Sequence, residues 1–160
     1  MKVRGWTILF HDCLIQQIRK LDEVRTRAKE QDPQNYAANA NVKTLAALAK
    51  VMLHDVPEDP SRPAYRQGNT LGPDHRHWMR AKFGGRFRLF FRYDTSSRVI
   101  IFAWVNDEQT LRKQGSKTDP YTTFRRMLDR GSPPDTWDGL KAAAHEPEDT
   151  VGHVFGKDDG

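Results

Sequence analysis

The sequence predicts an α+β domain: an N-terminal helical hairpin packed on a small antiparallel β-sheet, with a C-terminal helix. Three observations carry this. Two stretches before residue 55 place apolar residues at helical spacing, three β-rich runs between residues 78 and 105 are joined by short turns, and a capped helix signal stands at Asp119. A chain of 160 residues is one domain, and it is long enough to bury a real core. Residues 1–140 are expected to form that domain, and residues 141–160 a flexible acidic tail.

Each element has a local reason. Gly5–Phe10 (GWTILF) is a short apolar run suited to an opening strand. Asp12 can cap a helix to about Glu30, with Leu14, Ile15, Ile18, Leu21 and Val24 along one stripe. Asp32-Pro33 reads as a second helix start, with Val42, Leu45, Leu48, Ala49 and Met52 on one face to about His54. Pro57, Pro60 and Pro63 end it, and residues 57–77 read as a loop with a short extended piece at Ala64–Tyr65. The strands are expected at Trp78–Phe83, Arg86–Tyr93 and Arg98–Val105, with turns at Gly84-Gly85 and Asp94–Ser97. Asp119 followed by Pro120 opens a helix whose apolar face is Tyr121, Phe124, Met127 and Leu128. Gly131 and Pro133-Pro134 stop it.

Composition narrows the function class. The single cysteine, Cys13, excludes an intrachain disulfide framework and a multi-cysteine zinc site, and is read as a small core residue. No apolar run reaches the roughly 20 residues that span a bilayer, and no signal peptide is evident, so a cytoplasmic protein is expected. The net charge is +5, and its positive part is concentrated. Between His75 and Arg92 stand Arg76, Arg80, Lys82, Arg86, Arg88 and Arg92 with no acid among them. A local cationic field of this kind suits a polyanion such as nucleic acid.

Strand alternation gathers the charge. In Arg86–Tyr93, one face carries Arg86, Arg88, Phe90 and Arg92, and the other Phe87, Leu89, Phe91 and Tyr93. Trp78, Arg80 and Lys82 fall on the matching face of the preceding strand. Val99–Val105 is apolar on both faces, which predicts a central strand. The bland reading is a solvated sheet face. Against it, like charges opposite one another are destabilising, and no acid is interspersed to relieve them. The expected counter-ion is therefore a phosphate held by arginine forks, with Trp78 and Phe90 as exposed rings for stacking bases.

These residues also resemble a known family. The segment WMRAKFGGRFRLFFRY (Trp78–Tyr93) resembles the strand core of RelE-superfamily toxins, small bacterial ribonucleases that cleave mRNA. The string WVNDEQTLRKQGSKTDPYTTFRRMLDRGSPPDTW (Trp104–Trp137), with Gly5-Trp6 and PAYRQGNTLG (Pro63–Gly72), resembles the YhaV toxins of type II toxin–antitoxin systems. The likeness covers about residues 5–140. It implies a RelE-like fold, endonucleolytic RNA cleavage without metal or other cofactor, and growth arrest. It also implies neutralisation by a PrlF-like, AbrB-type antitoxin. Operator DNA would be bound only through that complex, and ribosome association is a weaker implication.

By position in the motif, Arg88 corresponds to the superfamily's arginine at the scissile phosphate. Arg86 and Arg92 would share its charge, and Lys82 would move a proton, since neighbouring cations favour its neutral form. Arg112 and Tyr121 match a basic residue and a Tyr or His that the superfamily places after the third strand. Tyr121 reads equally as a core residue. Arg80, Trp78, Phe90, Asn106, Lys113 and Lys117 are the expected RNA contacts. Asp119 reads as a helix cap rather than a base. His75 and His77 are minor candidates for acid–base work and a poor metal pair alone. Trp6, Trp104 and Trp137 read as packing residues. The competing functions are a non-catalytic RNA or ribosome binder using the same sheet and, less well supported, a DNA-binding subunit, for which no basic helix is present.

Overall fold

A computed structural model describes residues 1–107, 119–149 and 151–155. The α+β class holds. A sheet of six strands runs in the order β1 (Lys2–Val3), β2 (Trp6–His11), β5 (Val99–Val105), β4 (Phe87–Asp94), β3 (Met79–Phe83), with β6 (Ala144–His145) also on β2. The β3–β4–β5 meander is antiparallel as its short turns dictate. The sheet as a whole is mixed, because β2 lies parallel to β5 with Ile8 beside Ile100 and Phe10 beside Phe102. The antiparallel expectation is corrected there: the helical hairpin is a crossover between β2 and the meander, and a crossover permits parallel pairing.

One face is covered by α1 (Asp12–Gln31) and α2 (Ala40–Lys50). The latter widens into a π-helical segment at Val51–Asp55 and ends in the single turn α3 (Val56–Glu58). Leu14, Ile15, Ile18, Leu45, Leu48 and Met52 pack there on Ile8, Phe10, Leu89, Phe91 and Phe102. The helix starts are set by side-chain caps. His11 accepts from the Cys13 N–H, one residue before the expected Asp12, and Asn39 accepts from Asn41 and Val42. Asp32-Pro33 does not start the second helix: Asp32 closes α1, and a short 3-10 turn, Tyr36–Ala38, intervenes. Pro63–Tyr65 is likewise a 3-10 turn rather than an extended piece, and Arg66 bridges Met79 after it.

The other face is also covered, by α4 (Pro120–Asp129) and α5 (Trp137–Ala142). Asp119 caps α4 through the Tyr121 N–H. Trp78, Phe90, Ile101 and Trp104 pack under Tyr121, Phe124, Leu128 and Leu140. All seven residues of β5 are buried, as its apolar run predicts for a central strand. A β-bulge at Ala103 turns Trp104 and Ala103 to the same side, so Phe90 meets Trp104 while Phe91 meets Phe102.

The expected flexible tail after Leu140 is part of the fold as far as Phe155. Ala144–His145 pairs with β2, Val151 and Val154 are buried, and the Phe155 ring meets Phe10 edge-on at 6.0 Å. The chain's amino group pairs with Glu146 and Glu148. Charge composition concealed three apolar residues that close the edge of the first core.

Candidate nucleic-acid interface

The β3–β4 hairpin brings the basic residues together through a three-residue turn. Gly84 and Gly85 take φ of +57° and +76°, which a β-carbon would strain. The turn sets Lys82 directly opposite Arg88, and Arg80 opposite Phe90. Lys82 and Arg86 are exposed, whereas Arg88 is only 8% exposed.

Arg88 has few partners for a buried guanidinium. One terminal nitrogen donates to the carbonyls of Gly85 and Phe87, both at 2.9 Å. Its Nε is buried with no hydrogen-bond partner, and among the described residues no carboxylate pairs with it. Asn106 holds the strand that carries it. The amide oxygen accepts from the Arg88 N–H at 2.7 Å, and the amide nitrogen donates to the Arg86 carbonyl at 3.1 Å. Asn106 is 2% exposed, so the expected RNA contact is instead a buried clamp on β4.

Trp78 and Phe90 are not base-stacking platforms. Both are 0% exposed. Phe90 lies stacked between Phe124 at 4.3 Å and Trp104 at 6.1 Å, and Tyr121 meets it edge-on at 5.7 Å. The supposed open face is roofed by α4, whose own apolar stripe required a partner. Tyr121 is 7% exposed, which is the core position of its two readings. Arg80 is also largely buried and donates to the Arg66 carbonyl at 2.9 Å.

Arg92 stands apart from Arg88. It is four residues along the same strand, about 13 Å at ~3.3 Å per residue. Its guanidinium donates to the Asp135 carbonyl at 2.7 Å and lies 5.9 Å from the Trp78 ring and 5.6 Å from the Trp137 ring. Burial pulls its pKa down and the charge of Asp135 pulls it up, with burial prevailing. The structure therefore does not bring the Arg92 guanidinium together with that of Arg88: one is held by Asp135, the other by Gly85 and Phe87. Arg112, Lys113 and Lys117 lie outside the described residues.

Sequence reasoning missed Asp135. One of its oxygens, Oδ1, accepts from Trp78 Nε1 at 2.8 Å and contacts His75 Nδ1 and His77 Nε2, each at 2.9 Å. Burial raises the carboxyl's pKa, but the three N–H groups and the charge of His77 outweigh it and hold the group below its ordinary range. The His75, His77 and Asp135 donor atoms lie within 4.8 Å of one another, a spacing that metal ligands also show. Here the node is a hydrogen-bond knot that ties the 133–135 loop to the start of β3. Nothing local announced it, since Asp135 is 57 to 60 residues from these partners.

A family model described as a toxin with endonuclease activity, of a toxin–antitoxin system, matches residues 8–145. Ribonuclease toxin YhaV of Escherichia coli K12 is 44% identical over 147 residues, covering 91% of this chain and 96% of that one. Toxin YhaV of Escherichia coli O6:H1 matches to the same extent. In the crystal structure of the toxin–antitoxin complex RelBE2 from Mycobacterium tuberculosis, one chain aligns at 18% identity with a TM-score of 0.43, over 64% of this chain and 98% of that one.

Proposed function

The chain belongs to the YhaV family of toxin–antitoxin toxins with endonuclease activity, and on that premise we propose that it cuts mRNA at the turn end of the β3–β4 hairpin, without a metal ion. One observation carries the assignment: Arg88 is a buried guanidinium with an unpaired Nε and no carboxylate partner among the described residues. Burying a charge is costly unless something answers it. A phosphate oxygen matches the planar fork and supplies the missing charge.

The chemistry follows from RNA itself. The 2′-oxygen attacks the neighbouring phosphorus, the 5′-oxygen leaves, and a 2′,3′-cyclic phosphate forms. Negative charge grows on the non-bridging oxygens, and Arg88 and Arg86 answer it. Lys82, exposed and directly opposite Arg88, is the group placed to pass a proton to or from the reacting oxygens. Asn106 positions Arg88 through the strand backbone. A cluster of cations and an amide repels a divalent metal, so charge stabilisation falls to the arginines.

The same reading extends to partners and place. The cationic end of the hairpin suits an acidic cover, supplied by a PrlF-like, AbrB-type antitoxin, with operator DNA bound only through that complex. Among the described residues no helix is long and apolar enough to cross a membrane; the cytoplasm is the proposed location because mRNA, the proposed substrate, is met there.

The test is cleavage of mRNA, with and without ribosomes, in EDTA. The wild type yields new ends carrying cyclic or 3′-phosphate. Arg88→Ala loses about a hundredfold or more of the rate, the usual cost of one charge-stabilising donor, and Arg88→Lys controls for folding. RNA that stays intact with the wild type, yet is bound in a salt-sensitive way, establishes a non-catalytic RNA binder instead.

A further inference from the structure

A second cationic site lies at the far end of β4. An open hollow of about 450 Å³ is lined by Arg66, Arg76, His77, Arg92, Thr95 and Ser96, with Met79 and Tyr93 as its apolar wall. Arg66 and Arg76 are exposed, and among the described residues neither guanidinium has a carboxylate partner. Asp94 also lines the hollow, and it is engaged within its own turn: Oδ2 accepts from the Ser97 N–H at 2.9 Å and the Ser97 hydroxyl at 2.6 Å. Arg92 is fixed on the Asp135 carbonyl, and His77 by the Asp135 carboxylate. The hollow thus combines two fixed donors, two exposed guanidiniums and two hydroxyls.

From this arrangement we infer that the hollow is a subsite for a backbone phosphate of the RNA strand, a few nucleotides from the scissile bond. The inference rests on the nuclease reading above and adds a second station to it. Arginine forks and hydroxyls are the donors that hold phosphate without reading a base. The spacing fits: Arg88 and Arg92 are about 13 Å apart along one strand. The route is also defined. Both faces of the sheet are roofed, but β3 is the last named strand of the order and Arg66 bridges Met79 on its outer edge, so a chain leaving Lys82 passes outside that bridge to reach the exposed side chains of Arg66 and Arg76. Such a station gives affinity and register to a long strand and nothing to a substrate too short to reach it.

The experiment compares the wild type with Arg66→Ala/Arg76→Ala on two RNAs sharing one cut site, the first extended by several nucleotides on both sides and the second trimmed to the dinucleotide. The Arg66 carbonyl that receives Arg80 is kept in the variant, and Arg66→Lys/Arg76→Lys serves as the charge-conserving control. For the long RNA, KM rises about tenfold with kcat unchanged. The plot of log affinity against log salt becomes shallower by about 0.7, the change for one lost phosphate contact on a single strand. The lysine pair restores the salt slope, and the dinucleotide is cut as by the wild type. Unchanged KM and salt slope on the long RNA overturn the subsite. A wild type that cuts neither RNA, while the double variant still loses affinity for the long one by fluorescence anisotropy, refutes the nuclease reading and leaves the subsite standing.

Discussion

Replacing Phe90 with alanine separates a ring that holds the fold from a ring that holds RNA. The side chain is fully buried, stacked between Phe124 and Trp104, with Tyr121 against its edge. Truncating a buried phenylalanine costs about 3–5 kcal/mol in transfer and cavity terms. Because the three neighbours are large rings on two rigid elements, the site collapses poorly, so we expect about 4 kcal/mol. In a domain of this length that lowers Tm by roughly 8–16 °C. Phe90→Leu retains much of the volume and costs about 1.5 kcal/mol. Urea denaturation is the assay: the midpoint falls while the m-value holds. The affinity of the remaining folded protein for RNA stays at the wild-type level once corrected for the folded fraction. Stability within about 0.5 kcal/mol of wild type, together with weakened RNA binding, refutes the reasoning.

Two other outcomes follow from the same packing. Asp135→Ala leaves the buried Trp78 Nε1 without its acceptor and is expected to cost about 2–3 kcal/mol at pH 7. Since the folded carboxyl titrates below its ordinary range, that contribution is present above about pH 4 and fades as acid protonates the native group, so urea midpoints of wild type and variant converge below pH 4. Deleting residues 144–160 removes β6 and the buried Val151 and Val154; it should lower stability by about 3 kcal/mol or more, and an unchanged urea midpoint would mean that this segment is not part of the core.

Much of the scaffold is written in local signals. The stripe from Leu14 to Val24, the Asp119 cap and the glycine turn each act over a few residues, and each is found where its chemistry puts it. The apolar run Val99–Val105 likewise announces burial on both sides. What alternation could not reveal is who covers a face. Arg-Phe-Arg-Leu-Phe-Phe-Arg reads the same whether Phe90 meets water or a helix that begins 30 residues later. The missing clue was on the helix: Tyr121, Phe124 and Leu128 form a stripe that had to be buried somewhere. Asn39 displaced Asp32 as the second helix start because both are good caps and only tertiary packing chooses between them.

Covering both faces changes what the arginines can do. An open sheet would present Arg86, Arg88 and Arg92 as one surface. With α4 laid over Phe90, the middle of β4 is sealed, and the cationic heads emerge only at its two ends. Long arginine stems make this possible, since their methylenes line apolar surface while the charge reaches a margin. Arg92 differs: its guanidinium itself lies over the Trp78 and Trp137 rings and is held by the Asp135 carbonyl. The basic stretch is therefore two stations rather than one palm. The hairpin-turn station holds the buried Arg88 beside the exposed Lys82 and Arg86, a pairing suited to charge that develops during a reaction. The far station holds arginines that are exposed or pinned to a carbonyl, a pairing suited to charge that is already there. A strand of RNA carries both kinds at once, a reacting phosphate and its unreacting neighbours. On the proposed reading, one sheet that separates its cations along β4 meets both.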